Sequence, residues 1–385
     1  GGRSVAGFGY LRVISQHARP WSAWGFAALL PVTVLACGGG SGTFPNPLTN
    51  PASGPPAGNP DGTCSVPEDG RPMDVSAPRT VVGTGTPESC NSAAFVAAVA
   101  AGGVITFDCG PDPVTITLEE TAKVVNDTGP EIVIDGGGLV TLSGAGNHRI
   151  LYMNTCDQAQ VWTTSHCNDQ DHPRLSIQNI TFVDGNASGE DPDGGGAIFV
   201  RGGRLRVVNA RFFNNVCDEV GQDNAGGAIR AYDQSNDDPI FIVNSTFGGA
   251  PELGNRCSNG GALGSIGVSF TVLNSVFTHN EATGYGANPR RDGTPGGGNG
   301  GAIANDGNEF TLRLCGTEVT DNVANEGGGG IFFVSNNRTG HLNLSDSTLC
   351  SNPSLGFETD GYPGIFVLAA EDPSVSGGTL EDSCP

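Results

Sequence analysis

Apolar residues recur along this chain at a long interval rather than at the short interval of a single helix or strand. From residue 179 to residue 349, a polar or small residue is followed three positions later by a large apolar one, six times in succession. The pairs are Asn179/Phe182, Asn209/Phe212, Asn244/Phe247, Asn274/Phe277, Gly316/Val319 and Asp346/Leu349. Successive anchors lie 30, 35, 30, 42 and 30 residues apart, and a period of roughly 20–50 residues is typical of a solenoid, a propeller or a repeat array.

A second motif, a glycine pair followed by apolar residues, lies between the anchors and in phase with them. It occurs as Gly195-Gly196-Ala197-Ile198, Gly226-Gly227-Ala228-Ile229, Gly260-Gly261-Ala262-Leu263, Gly300-Gly301-Ala302-Ile303 and Gly329-Gly330-Ile331. Glycine is favoured where a Cβ would clash or where φ is positive, and asparagine also tolerates positive φ at turns. We therefore predict two corners in each repeat, one at the asparagine and one at the glycine pair.

Between the corners the pattern is that of short strands, in which β-branched and polar residues alternate. The clearest early examples are residues 104–107, 114–118, 131–134 and 139–142. A propeller blade needs about 40–45 residues, so a repeat near 30 residues fits one coil of a parallel β-helix with three short strands better. Extra length falls in loops such as 284–299, which can lengthen without disturbing the stack.

Stacked coils would place equivalent residues about 4.8 Å apart. The predicted internal column consists of Phe182, Phe212, Phe247 and Phe277, and the predicted ladder at the bend consists of Asn179, Asn209, Asn244 and Asn274. Such a column is stabilised by burial, and such a ladder by amide hydrogen bonds between coils. Neither needs a ligand.

One helix is predicted, ahead of the repeats. Asn91 supplies an N-cap, residues 92–101 are mostly alanine and valine, and Gly102 follows as a stop. Phe95 and Val99 share one face. We expect this helix to cap the open end of the solenoid, where strand edges would otherwise be unpaired. The solenoid domain is predicted to span residues 81–385.

The two motifs together resemble the repeat of the chlamydial polymorphic outer-membrane proteins. The Phe-x-x-Asn element of that repeat stands here as Phe212-Phe213-Asn214-Asn215 and Phe277-Thr278-His279-Asn280. More broadly, residues 90–367 resemble the bacterial right-handed parallel β-helix repeats of the pectate-lyase-like superfamily. The resemblance implies an all-β fold, a right-handed parallel β-helix solenoid with a short N-terminal capping helix. The chlamydial family are adhesins, so it also suggests a role in adhesion.

Residues 1–36 have the pattern of a secretory signal peptide. Arg12 and Arg19 precede an apolar run that extends from Trp21 to Ala36, and a basic flank before a short apolar run is typical of export. The run is too short for a comfortable transmembrane helix of about 20 residues.

Cys37, directly after Ala36, resembles the lipidated cysteine of the bacterial lipoprotein lipobox. The departure from that pattern is Leu35, where the family usually has a smaller residue, and an ordinary signal with an unlipidated cysteine is the alternative. Residues 37–80 are then predicted to be the lipidated cysteine and a disordered tether rich in Gly, Pro and Ser. By the same resemblance, Gly38 in place of aspartate favours the outer membrane or cell surface.

The cysteine count supports an oxidising compartment. The chain has 11 cysteines, and setting Cys37 aside leaves ten, enough for five disulfides. The pairs we predict are Cys90–Cys109, Cys156–Cys167, Cys217–Cys257 and Cys315–Cys350, which leaves Cys64 with Cys384. The chain contains no C-x-x-C pair and its six histidines are scattered, so we expect no zinc cluster.

Acidic residues outnumber basic ones by 40 to 18, which gives a net charge of −22. Outside residues 1–36 only 15 basic residues remain, and the net charge is −25. A field of this sign repels phosphate backbones, so nucleic acid is not an expected partner. The expected partner is an extracellular polysaccharide or a surface protein, with the membrane reached through the lipid anchor only.

An enzymatic alternative follows from the pectate-lyase-like resemblance. A lyase of that kind needs clustered acids for Ca²⁺ and a positioned Arg or Lys base. The candidate residues are Arg201, Arg204, Arg206 and Arg211, with Asp184, Glu190, Asp191 and Asp193 expected nearby. Arg204 and Arg206 would share one strand face, and charge pairing on a solvated face is the competing explanation. The Gly-His-Gly of polygalacturonases does not occur.

Three acidic loops leave Ca²⁺ open as a cofactor, namely residues 184–193, residues 218–223, and Asp233 with Asp237-Asp238. None has the spacing of a known calcium loop. We therefore predict no metal ligands and no catalytic residues. Taken with the signal, the tether and the repeat, this predicts an exported cell-envelope lipoprotein with a non-enzymatic, surface-binding or adhesive role. The alternatives are a Ca²⁺-dependent polysaccharide lyase and a purely structural envelope component.

Overall fold

The structure, a computed structural model, describes residues 54–385. In this part the chain is mostly strand, in four parallel sheets of ten, nine, eight and three strands, with one α-helix and five short 3-10 helices. This is an all-β fold, consistent with a parallel solenoid. The predicted signal region 1–36, Cys37 and the tether up to residue 53 lie outside the described residues.

The strands fall into the four sheets as follows. The first sheet contains β1 (Thr80–Val82), β2 (Gly103–Phe107), β5 (Glu131–Asp135), β8 (Arg174–Gln178), β11 (Arg204–Val208), β14 (Ile240–Val243), β18 (Phe270–Leu273), β22 (Thr311–Cys315), β26 (His341–Ser345) and β29 (Ser374–Ser376). The second contains β3 (Val114–Thr117), β6 (Val140–Ser143), β9 (Thr181–Val183), β12 (Arg211–Phe213), β15 (Thr246–Gly248), β19 (Val276–Thr278), β23 (Glu318–Thr320), β27 (Thr348–Cys350) and β30 (Thr379–Glu381). The third contains β4 (Ala122–Lys123), β7 (Leu151–Asn154), β10 (Ile198–Arg201), β13 (Ile229–Tyr232), β17 (Leu263–Ile266), β21 (Ile303–Gly307), β25 (Ile331–Ser335) and β28 (Ile365–Leu368). The fourth contains β16 (Arg256–Cys257), β20 (Glu281–Ala282) and β24 (Val323–Ala324).

The order of the strands along the chain explains why every sheet is parallel. From β2 to β28, each pass visits the first, second and third sheets in turn, and the next pass adds one parallel neighbour to each. Thus β8, β9 and β10 are followed by β11, β12 and β13, which pair with them in register. In three passes a short strand of the fourth sheet lies between the second and third sheets, which the three-strand coil predicted from the sequence lacks.

The side chains that face inward from the sheets form one core, and the four predicted phenylalanines lie stacked within it. The ring centroids of Phe182 and Phe212 are 5.1 Å apart, and those of Phe212–Phe247 and Phe247–Phe277 are each 4.5 Å apart, with nearly parallel planes. All four are fully buried. Burial of each ring contributes about 2–3 kcal/mol.

The asparagine anchors occupy the predicted bend between the first and second sheets. Asn179, Asn209, Asn244 and Asn274 have φ values of 54°, 51°, 46° and 51°. The predicted ladder of hydrogen bonds between these asparagines is only partly present. Asn209 Nδ2 donates to Asn179 Oδ1 at 3.0 Å, whereas Asn274 bonds with the main chain of Cys64.

The glycine pairs occupy the second corner, before the third sheet. The first glycine of each pair has positive φ, as at Gly226 (78°), and a Cβ on the second, as at Gly227, would lie 2.3 Å from the oxygen of Gly261. The last corner differs from the prediction by one residue, because Gly328, with φ 65°, takes the first position. Four consecutive glycines at 327–330 hide the register in the sequence.

A ladder of buried asparagines that was not predicted runs beside the phenylalanine column. Each side-chain Nδ2 donates to the Oδ1 of the next at 2.9 Å, in the order Asn215, Asn255, Asn280, Asn322 and Asn352. The first four are fully buried. Because each amide also bonds with main-chain groups of its neighbours, the ladder satisfies polar groups at this corner that water cannot reach.

The predicted helix is present as α1 (Ser92–Ala101). The Asn91 side chain accepts a hydrogen bond from Ala94 N at 3.0 Å, and Gly102, with φ 71°, ends the helix. Phe95 and Val99 are fully buried, and the helix contacts β1 and β4, the edge strands of two sheets. Within residues 54–385, the structure contains no helix with the length and apolarity needed to cross a bilayer.

Residues 54–79, which we call the strap, lie on the outer face of the sheets. Gly58 N donates to Thr246 Oγ1 at 2.9 Å, and Asn59 N donates to Asn274 O at 2.8 Å. The predicted tether is therefore wrong from residue 54 onward, and the body begins well before residue 81.

Apolar packing fixes the strap as well as hydrogen bonds. Val66 is 3% exposed and packs in a small separate core with Val208, Val243, Leu273 and Cys315. Four of these residues, Val208, Val243, Leu273 and Cys315, end strands of the first sheet with the side chain pointing outward. The strap was missed because its partners are remote in the sequence. One signal was present: β11, β14, β18 and β22 each end in two consecutive apolar residues, which is unusual for strands with one face open to water.

Five disulfides join the ten cysteines of the described part. The predicted pairs Cys90–Cys109, Cys156–Cys167 and Cys217–Cys257 are present. The other two predicted pairs are wrong, since the structure has Cys64–Cys315 and Cys350–Cys384. Cys315 ends β22 in the first sheet and Cys350 ends β27 in the second, so one coil of separation does not bring them together.

Candidate functional site

The outer face of the first sheet carries a polar groove of about 390 Å³. We call it the arginine groove. Its lining includes Arg174, Ser176, Arg204, Arg206, Glu131, Asp69, Met73, Gln234, Asp238 and Phe241. Asp69 and Met73 belong to the strap, so the strap forms one wall, and the chain segment before β14 forms another. The groove contains Arg204 and Arg206, which the sequence predicted to share a strand face.

Carboxylates separate the arginines of the groove. Arg174 and Arg204 are register partners on β8 and β11, which places like charges side by side. Asp171 bridges them, accepting a hydrogen bond from Arg204 Nε at 2.8 Å and pairing with Arg174 Nη2. Glu131 pairs with Arg174 at 2.9 Å, and Asp238 pairs with Arg204 at 2.7 Å. Three carboxylates therefore surround the two guanidinium groups in this part of the groove, which leaves no excess of positive charge.

These ion pairs hold the groups in their charged forms. Burial would raise the pKa of Asp171, but the hydrogen bond from Arg174 and the charge of Arg204 outweigh it and lower the pKa below its ordinary value. The hydrogen bonds to Asp171 and Glu131 raise the pKa of Arg174. The Arg174 guanidinium therefore stays protonated, since ion pairing favours the charged form.

Arg206 holds the strap. Its Nη1 donates to Arg71 O at 2.7 Å and contacts Met73 Sδ at 3.3 Å. Burial lowers the pKa of Arg206, while Asp69 and Glu131 act in the opposite direction. Part of the donor capacity of this guanidinium is therefore used within the protein.

The geometry of the groove suits binding better than proton abstraction. A general base must accept a proton from the substrate, whereas Arg204 donates hydrogen bonds to Asp171 and Asp238 and Arg206 donates one to the strap. Guanidinium groups fixed by such partners present oriented donors to a ligand. The groove therefore resembles a recognition surface.

The four arginines of residues 201–211 do not form one patch. Turns at Gly202-Gly203 and Asn209 send Arg201 to the third sheet and Arg211 to the second. Arg211 Nε donates to Thr181 Oγ1 at 2.9 Å, and burial lowers the pKa of Arg211 to about 10.

Most of the acids expected near Arg204 and Arg206 also lie elsewhere. Glu190 is 3.8 Å from Arg149, and Asp193 is 3.6 Å from Arg230, both beside the third sheet. β9 of the second sheet ends at Val183, and the 184–193 loop then leads toward β10 of the third sheet, which carries those acids away from the first sheet.

Within residues 54–385, one set of three His, Cys, Asp or Glu side chains brings its ligand atoms within 4.8 Å of one another: Cys64, Cys315 and Asp346. Its two cysteines form a disulfide, so their sulfurs are not free thiolates. The three acidic loops named as Ca²⁺ candidates contribute no such set among the described residues.

Several groove residues were missed from the sequence. Arg174 precedes Arg204 by 30 residues, the interval that separates Asn179 from Asn209, so the repeat period alone could have placed it beside Arg204. Gln234, which lies in a loop outside the periodic pattern, offered no such signal. The strap residues were hidden by the Gly- and Pro-rich composition around them.

No protein family, curated protein or solved structure matches the chain. The resemblances drawn from the repeat motif therefore stay predictions, and any function must be argued from the groove and the fold.

Proposed function

We propose that this chain is an exported cell-envelope lipoprotein whose body, a right-handed parallel β-helix, binds an extracellular partner without converting it. The regular passage of the chain through three parallel sheets supports the helix. Crossovers between parallel neighbours in one sheet are right-handed in about 98% of cases, and α1 would cap one end.

Export is supported by the cysteines. The ten cysteines between Cys64 and Cys384 form five disulfides, and disulfides persist in oxidising compartments. The signal-like region 1–36 would direct export, and Cys37 would carry the lipid that anchors the body at the outer membrane or cell surface.

The observation that carries a binding role over a catalytic one is the pairing of the groove arginines. Arg174 and Arg204 share Asp171, and Arg206 donates to the strap. A base poised for turnover needs a pKa matched to the working pH and access to the substrate proton. The groove instead presents oriented hydrogen-bond donors and acceptors with no excess of positive charge, and such a surface suits an extracellular polysaccharide.

A carbohydrate-active enzyme, a Ca²⁺-dependent polysaccharide lyase, is the second candidate. One observation favours it, because burial lowers the pKa of Arg206, which is the direction that a basic role would need. It would also require Ca²⁺ ligands that come together only on substrate binding.

Two measurements test the proposal. The first follows the absorbance of unsaturated products when the protein is incubated with a panel of uronate polysaccharides, with and without Ca²⁺. We expect none, and products that disappear in R206A but persist in R313A, an exposed arginine of β22 on the same sheet, would establish the enzyme. The second compares wild type with C37S, which we expect to leave the membrane fraction and appear in the medium or periplasm.

A further inference from the structure

A second cavity adjoins the arginine groove at the start of β5 and β8. It has a volume of about 410 Å³ and is lined by Asp127, Gly129, Pro130, Trp162 and His172. Pro130 directly precedes Glu131 of the groove, and Arg174 N donates to Pro130 O at 2.7 Å. The two cavities are therefore neighbours along the same pair of chain segments.

An aromatic pair lines this second cavity. The rings of Trp162 and His172 are stacked, with centroids 5.0 Å apart and planes inclined by 12°. Both residues are half-buried. The stack fixes the plane of the indole. An indole is a large, flat, apolar ring with a polar N–H at its edge. At a cavity wall, such a ring packs well against the C–H face of a sugar ring.

Two residues that line the arginine groove each carry a buried polar atom without a hydrogen-bond partner. Arg174 Nε is a donor, and Gln234 Oε1 is an acceptor. Gln234 is 4% exposed, and its Nε2 donates to Gly202 O and Asp233 O, which fixes the orientation of the amide. Unpaired buried polar groups are costly, so each favours a ligand that completes it.

A hydroxyl group can complete either of these atoms. A hydroxyl donates one hydrogen bond and accepts two, whereas a carboxylate only accepts and an ammonium only donates. Formal charge also favours a neutral ligand, because Arg174, Arg204 and Arg206 face Asp69, Glu131 and Asp238 in the lining and Asp171 beside it, which leaves no positive excess for an anion. With a chain-wide net charge of −22, the surroundings disfavour a polyanion.

We propose that the two cavities bind neighbouring units of a neutral saccharide chain. One pyranose ring stacks on Trp162, and hydroxyls of the next unit bond with Arg174 Nε and Gln234 Oε1. This inference rests on the proposed binding function and specifies its ligand class and its site. The combined space is of the size expected for a ligand of two sugar units.

Intrinsic fluorescence provides a direct test. The chain has three tryptophans, at positions 21, 24 and 162, and the first two lie in the signal region that export would remove. The emission of the processed protein, or of W21F/W24F where that region is retained, therefore reports on Trp162 alone. Neutral and uronate oligosaccharides of one to four units are titrated against this protein. We expect neutral chains of two or more units to change the emission and to bind at least tenfold more tightly than single sugars, and uronate chains to bind more weakly.

Variants locate the site, with affinity measured by calorimetry. We expect W162A and Q234M each to weaken neutral oligosaccharide binding at least tenfold. Y285A, which removes a ring that is 53% exposed outside both cavities, should change it less than twofold. Thermal unfolding measurements show whether each variant is folded. W162A changes only a half-buried side chain, so this variant tests the inference even if Q234M is unstable.

Three results would overturn the inference: unchanged affinity in W162A, binding of uronate chains only, or no saccharide binding at all. The proposed function is judged separately, by the C37S fractionation and the turnover assay. A surface-located protein that binds no saccharide would retain the proposed function and lose this inference, whereas a protein that is not exported would lose the function itself.

Discussion

Cys64 of the strap is joined to Cys315 at the end of β22, across 251 residues of sequence. Beside this disulfide, Asn274 accepts from Cys64 N at 2.9 Å and donates to Cys64 O at 2.8 Å. At Cys64 the strap is thus held both by a covalent bond and by hydrogen bonds to its main chain. Because the strap also walls the arginine groove, this attachment couples the N-terminal segment to the candidate site.

Removing this disulfide should destabilise the protein more than removing a short-range one. Closing a 251-residue loop restricts the unfolded chain by about 5 kcal/mol, against about 3 kcal/mol for the 11-residue separation of Cys156–Cys167. We expect C64S/C315S to lose more free energy of unfolding than C156S/C167S in guanidinium titrations. Limited proteolysis should also cut the strap of the first variant and spare that of the second; equal stability and equal cleavage would contradict this role.

The buried asparagine ladder should be sensitive to the loss of any inner member. Asn255 Oδ1 accepts from Asn215, and Asn255 Nδ2 donates to Asn280 and to Phe212 O. N255A leaves several buried groups unpaired, at about 1–3 kcal/mol for each unsatisfied group. We expect a loss of about 3 kcal/mol or more in the free energy of unfolding. N308A, at an exposed position, is the control, and a similar small effect for both variants would argue against the ladder.

The phenylalanine column makes a separate prediction about packing. Phe247 lies between Phe212 and Phe277, 4.5 Å from each. Removing the ring creates a cavity in a place where coils above and below cannot collapse, so we expect F247A to cost about 4 kcal/mol. F247L keeps most of the volume and should cost about 1.5 kcal/mol or less. Chemical denaturation measures both, and the reverse order would show that the ring does not lie in a column.

Glu326 should contribute a stability that depends on pH. Its pKa is lowered from 4.5, first by the hydrogen bond from Arg291, with burial acting against this and Gly286 N adding to it at 2.7 Å. A carboxyl whose pKa falls on folding stabilises the protein above its unfolded pKa and loses that contribution as pH falls through the folded value.

The stability difference between wild type and E326Q should therefore be full at pH 7 and shrink below pH 4.5. Thermal unfolding measured from pH 7 to pH 3 follows it. In an R291Q background the difference should vary less with pH, because the main cause of the lowered pKa is gone. A difference that is constant over the whole range would refute this role of Glu326.

Features that repeat along the chain were predictable, and features made by remote partners were not. The period placed the phenylalanines in one column and the asparagines at a bend, because stacking requires the same side chain at the same place in each coil. The buried ladder repeats too, three residues after the apolar position at Asn215, Asn280, Asn322 and Asn352. Five extra residues before Asn255 interrupt that spacing.

The candidate site was only partly predictable for the same reason. Arg204 and Arg206 share a face because strands alternate, which the sequence shows directly. Asp171 and the strap reach the groove from irregular segments whose positions depend on tertiary contacts. Composition was misleading there, since Gly- and Pro-rich segments are typical of disorder, while the strap is ordered by its bonds to Thr246 and Asn274.

Peptide mapping of the unreduced protein is the most direct test of the central claim, that the strap is locked onto a stack of parallel coils. Protease digestion and mass spectrometry should recover Cys64 linked to Cys315 and Cys350 linked to Cys384, together with the three short-range pairs. Peptides that link Cys315 to Cys350 and Cys64 to Cys384 would contradict it, because they would place the N-terminal segment at the far end of the chain.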